Sequence, residues 1–113
     1  MGYGNKSLAD MAEEVYQFEV SKGWQPNDNR FAESVALLHS EVSEVLEAYR
    51  EWGTTDMTDE FRGKPEGVGS ELADVFIRLL SSCHQYGIDL HREYERKMAY
   101  NRTRAFRHGG KRL

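Results

Sequence analysis

The sequence predicts an all-α fold, a four-helix module, from three observations. Apolar residues recur every three or four positions in four separate stretches. Glycine, proline and asparagine interrupt the chain between those stretches. No run of useful length has the two-residue period of a strand. At 113 residues the chain is a single domain, 1–113, with room for one modest core.

The first helix is predicted over 8–22, where Leu8, Met11, Val15 and Phe18 share a face and Ser7 followed by Asp10 marks its start. "KGWQPNDN" (22–29) then breaks the periodicity. A long second helix runs from Phe31 to Trp52, and Gly53 ends it. The connection 53–69 carries Gly53, Gly63, Pro65, Gly67 and Gly69 and reads as a loop. A third helix covers 70–86 and stops at Gly87. Asp89 is the expected N-cap of a fourth, 90–106, after which "RHGGKRL" closes the chain.

With 39% hydrophobic and 12% aromatic residues the chain has the composition of a folded domain. The core is lean for a monomer, so a homodimer or homotetramer is expected. No apolar run approaches the roughly 18 residues of a membrane span, so no membrane partner is expected. The one cysteine, Cys83, cannot form an internal disulfide and suits a reducing, cytoplasmic setting. Net charge is −4 but uneven. The C-terminal segment 96–113 holds seven Lys and Arg and no acid, which leaves −11 on residues 1–95.

The acids themselves are oddly placed. Spacing alone decides little, because 19 acids in 113 positions give about three i, i+3 pairs by chance, and the chain has five. Facing decides more. On the second helix Glu41 falls within the arc of Leu38, Val42 and Val45, Glu44 borders that arc, and Glu47 lies on the solvent side. The third helix is apolar on two faces, and Glu71 and Asp74 occupy the narrow polar strip between them. One apolar face fits its own bundle and the other calls for a second chain. Carboxylates in such a seam need neutralising. Arg78, pairing with Glu71 or Asp74, covers part of the charge. A hard divalent cation, Mg²⁺ or alternatively Mn²⁺, is the other answer, since such ions take all-oxygen sites.

Lys97, Asn101 and Arg104 share one stripe of the fourth helix at i, i+4 and i+7. Two cations and an amide on one face suit phosphate oxygens, and solvent exposure is the plainer reading. Trp24, at the end of the first helix, is a candidate to stack on a ring, with core packing as the alternative.

Taken together, "EVSE" (41–44), "ELAD" (71–74) 26 residues later, and "KMAYNRTRAFRHGGKR" (97–112) resemble the MazG-like all-α nucleoside triphosphate pyrophosphohydrolases. "SKGW" (21–24) and "KPEGVGSELAD" (64–74) extend the resemblance over most of the chain. The family's signature often reads EExxE, and Ser40 stands here in place of the first acid. The resemblance implies magnesium-dependent hydrolysis of a nucleoside triphosphate between the α and β phosphates. It implies metal ligation by Glu41, Glu44, Glu71 and Asp74. It also implies phosphate contact from Lys97, Asn101 and Arg104. Glu41 or Glu44 is the candidate base for activating water. No GxxxxGK[ST] phosphate loop is present.

Two other classes of function compete with this expectation. One is a catalytically silent, regulatory helical oligomer with salt-bridged carboxylates. The other is a nucleic-acid-binding module using 96–113, nucleic acid being the less expected partner.

Overall fold

The computed structural model describes residues 4–24 and 30–104. Four helices dominate: α1 (Leu8–Ser21), α2 (Phe31–Trp52), α3 (Val68–Gln85) and α4 (Leu90–Arg102). The all-α reading holds for these elements. No helix among the described residues is long and apolar enough to cross a membrane.

The helix starts follow local chemistry. Ser7 Oγ accepts from the Asp10 amide at 3.0 Å while Asp10 Oδ2 accepts from the Ser7 amide at 3.4 Å, a reciprocal capping box. Asp89 Oδ1 accepts from the Arg92 amide at 3.0 Å and starts α4. The α1 stop is equally local. The Trp24 amide donates to the Glu19 carbonyl and the Gly23 amide to the Val20 carbonyl, both at 3.0 Å. This is a Schellman turn, and Gly23 takes the left-handed φ of 85° that it requires.

Two expectations need correcting. The connection 53–69 is not a plain loop. It holds an antiparallel hairpin of β1 (Met57–Asp59) and β2 (Lys64–Glu66), too short for any strand period to show. Asp59 organises its turn. Its carboxylate accepts from the amides of Phe61 and Arg62 and pairs with the Arg62 guanidinium at 2.8 Å. The turn leaves Phe61 at its tip, 96% exposed. Helix α3 also begins two residues early, directly after Gly67. A Cβ on Gly67 would lie 2.8 Å from the Thr55 carbonyl oxygen, so only glycine lets the two arms of the connection close.

The second correction is at the far end. Helix α4 ends at Arg102, not 106. The Thr103 hydroxyl donates to the Tyr100 carbonyl at 2.6 Å, and the Thr103 amide donates to the same oxygen at 2.9 Å. Such side-chain competition for backbone oxygens closes a helix. The predicted residues 105 and 106 lie outside the described residues, as do Arg107, Lys111 and Arg112.

Helix α3 is the centre of the fold. It packs along α2 on one side and α1 on the other, and α4 makes a smaller contact with α1. Helix α3 therefore has a helix of the same chain on each side, while Leu72, Phe76 and Ile77 of its apolar surface stay exposed. The buried hydrophobic core is small: Ala12, Ala48, Leu80 and Cys83. Burial pushes the Cys83 thiol pKa up, which suits an inert core residue. Helix α4 buries none of its residues.

Candidate metal and nucleotide site

The site is built where α2 and α3 run side by side. The apolar arcs of α2 and α3 pack against each other, with Val45 of one and Val75 of the other lining a shared groove. That packing carries the interspersed acids inward with it. Glu41, Glu44 and Glu71 converge so that one oxygen from each lies within 4.8 Å of the others. Glu41 and Glu71 are half-buried and Glu44 is exposed.

Asp74 completes the electrostatic group. The Glu71 carboxyl is pushed above the usual carboxylate range, by burial first and then by the negative charge of Asp74, Glu44 and Glu41. Asp74 is also within hydrogen-bonding reach of the Glu71 carboxyl. Glu71 Oε2 is buried with no hydrogen-bond partner among the described residues. A buried, unpartnered carboxylate oxygen facing two or three like charges is costly. Three of the four acids from "EVSE" and "ELAD" thus meet within reach of one ion, Asp74 stands exposed beside Glu71 outside that group, and one Glu71 oxygen still seeks a partner.

Arg78 answers only part of this. Its Nε lies 3.5 Å from Glu41 Oε1, with both side chains largely covered. The expected pairing with Glu71 or Asp74 is replaced by one with Glu41, because the relative rotation of α2 and α3 carries the Arg78 side chain across to α2. Glu47 keeps its surface role and pairs with Arg50 at 2.9 Å.

Cavities open on both sides of the cluster. One, of about 260 Å³, is walled by Phe18 and Trp24 from the end of α1, by Glu41, and by Asp74, Ile77 and Arg78 of α3, with Glu19 among its lining residues. The other, of about 530 Å³, borders Glu44, Glu47, Glu51, Trp52 and Glu71. Trp24 therefore stands beside the carboxylates, 57% exposed, rather than in the core. Lys97 and Asn101 are exposed on α4, whereas Arg104 is exposed two residues past its end, so the predicted three-residue helical stripe stops at Asn101; none of the three lines either cavity. Lys97 instead shares a separate hollow with Glu93, Arg96 and Tyr100.

Glu19 is the residue that the sequence reading missed. It is 8% exposed, and its carboxylate receives the Ser81 hydroxyl of α3, at 2.9 Å to one oxygen and 3.1 Å to the other. The signal was present. Tyr16, Val15, Ala12 and Leu8 lie three, four, seven and eleven residues before it, so Glu19 sits in the apolar stripe of α1 just as Glu41 does in that of α2.

No family model, curated protein or solved structure matches this chain when it is compared with them. The case for an activity therefore rests on the side chains themselves.

Proposed function

We propose that the chain is a magnesium-dependent nucleoside triphosphate pyrophosphohydrolase, with Mn²⁺ as an alternative ion. The observation that carries the reading is the convergence of Glu41, Glu44 and Glu71, with Asp74 against Glu71 and one buried Glu71 oxygen left without a partner. The donor set is all oxygen and carries four negative charges, which fits a small hard dication better than a softer metal.

In this reading Glu41, Glu44, Glu71 and Asp74 would hold the ion. When bound, the ion offsets phosphate charge and lowers the pKa of water. The remaining work falls to the chain. Glu41 or Glu44 accepts the proton of the attacking water. Arg78, already directed at Glu41, fixes that carboxylate's orientation. Trp24 supplies a ring face for the base. Lys97, Asn101 and Arg104 are assigned to the phosphates, and since they stand apart from the carboxylates in one chain, a second copy would have to supply them or bring them near.

A homo-oligomer, dimer or tetramer, belongs to the same proposal. Val42, Leu46 and Tyr49 of α2 and Leu72 and Phe76 of α3 are all exposed, and the first four line an apolar groove of about 370 Å³. A lone cysteine and a chain acting on soluble nucleotides fit the cytoplasm.

Incubation of the purified protein with a panel of nucleoside triphosphates and Mg²⁺ tests the activity, with pyrophosphate and nucleoside monophosphate as the products measured. Mg²⁺ alone should raise the melting temperature by several degrees, since saturation at 100 times Kd adds about 2.7 kcal/mol. Neither product formed from any nucleotide, with no Mg²⁺ shift, leaves a silent, salt-bridged bundle as the better account.

A further inference from the structure

The cavity beside Trp24 contains a charge that neither metal nor phosphate binding uses. Glu19 projects from the last turn of α1, buried apart from 8% of its surface, and it lines the same hollow as Trp24, Asp74 and Arg78. Among the described residues its one side-chain hydrogen-bond partner is Ser81. A hydroxyl has one hydrogen, whereas a carboxylate has about four acceptor positions. Most of the accepting capacity of Glu19 is thus unfilled, in a setting that excludes most of the water that would otherwise fill it.

The neighbouring geometry says what would fit. The Schellman turn at Gly23 ties the Trp24 amide to the Glu19 carbonyl, so the indole and the carboxylate are held on one six-residue segment. The Phe18 ring has the Lys22 ammonium 5.8 Å from its centroid, which covers one of its faces. Trp24, about as exposed as Phe18 and with no cation over its ring among the described residues, offers the larger open aromatic face. A hollow of about 260 Å³ is smaller than the usual small-molecule pocket and suits one flat ring rather than a whole ligand. Glu41 and Asp74 also line the hollow, which sets it directly beside the carboxylate cluster.

On the nucleotide reading above, on which this rests, we infer that Glu19 is a specificity residue that selects nucleobases bearing an exocyclic amino group. A fixed carboxylate only accepts hydrogen bonds. Cytosine and adenine present an amino donor where uracil and hypoxanthine present a keto oxygen. The amino group fills the spare acceptors of Glu19, whereas a keto oxygen at that same position sets acceptor against acceptor in a poorly hydrated pocket, and the ring N–H beside it reaches the carboxylate only if the base shifts. Ser81 is a positioning residue that fixes the carboxylate's orientation.

Two matched substrate pairs test this: dCTP against dUTP, and dATP against dITP, each pair differing at the amino or keto position. The wild-type protein should favour the amino member of each pair in kcat/KM by at least about tenfold, in the manner of sites that hydrogen-bond their substrate. Glu19→Gln, whose amide both donates and accepts, should bring each ratio to within about threefold. Equal wild-type turnover of amino and keto members overturns the inference and leaves pyrophosphohydrolysis standing. A wild-type preference that survives unchanged in a folded Glu19→Gln protein overturns the role of Glu19. No turnover of any of the four, with no quenching of tryptophan fluorescence on adding them, overturns the activity and the inference together. The wild-type ratios need no variant, so a variant that fails to fold does not remove the test.

Discussion

Helices α3 and α4 carry motifs of similar visibility in the sequence, yet the fold treats them differently. Helix α3 lies between α1 and α2, and its packing leaves Glu71 and Asp74 little choice of position. Helix α4 buries nothing and touches chiefly α1, so Lys97 and Asn101 are fixed in direction by α4 alone, and Arg104 lies past its end. An acid within an apolar arc is placed by the energy of the core around it. A cation on an exposed arc is placed by nothing until a partner arrives. Facing that is enforced by burial therefore says more about function than spacing does.

The strongest way to break this contrast is to neutralise the acid that α3 buries. Glu71→Gln should lower kcat/KM by more than about 100-fold, the upper end for residues that merely orient a ligand, and should abolish the melting shift produced by Mg²⁺. A loss below tenfold would mean that burial of Glu71 serves packing alone. A smaller effect is expected on α4. Lys97→Ala should raise KM roughly tenfold, the worth of one charge-assisted hydrogen bond, without moving the melting temperature of this exposed residue. An unchanged KM would detach α4 from the site.

The apolar groove between α2 and α3 sharpens the comparison through assembly. Leu72→Glu should convert a dimer or larger species to monomer in light scattering, with little loss of helical content, because Leu72 is 52% exposed in the single chain. A monomeric wild type would remove the need for any partner over this groove. The smallest effect is on stability against pH in the metal-free protein. The Glu71 carboxyl is held above its ordinary value of 4.5, so the folded state favours the protonated form. That contribution is fully present below pH 4.5 and is lost as pH rises through the elevated folded value. Denaturant melts should show stability falling across this interval, and Glu71→Gln should flatten the fall.

Much of this was legible beforehand, for identifiable reasons. Helix α2 runs from Phe31 to Trp52 as the periodicity and Gly53 require, and Ser7 and Asp89 cap where hydroxyl and carboxylate caps are expected. The meeting of Glu41, Glu44 and Glu71 followed from facing, since two apolar arcs that pack must bring along whatever lies within them. The hairpin was not legible, because three-residue strands carry no period and its turn depends on Asp59 accepting from groups two and three residues on. Nor was the partner of Arg78, which depends on the relative rotation of two helices. Glu19 was legible by the same wheel that found Glu41, but a shorter helix with a single acid in its stripe looks like noise until Ser81 is seen beneath it.

The close approach of Gly67 to Thr55 bears on how the chain reaches this state. The fourteen positions from 54 to 67 are drawn into a hairpin that returns to its own origin, so α2 and α3 meet across a short, pre-closed connection. Contacts between neighbours in sequence form early and quickly, because little loop entropy is lost in making them. The α2–hairpin–α3 unit is accordingly the expected folding nucleus, and the carboxylates are gathered at the start of folding rather than at its end. Like charges assembled in a nucleus slow its formation, so a divalent cation that binds them should speed folding as well as stabilise the product.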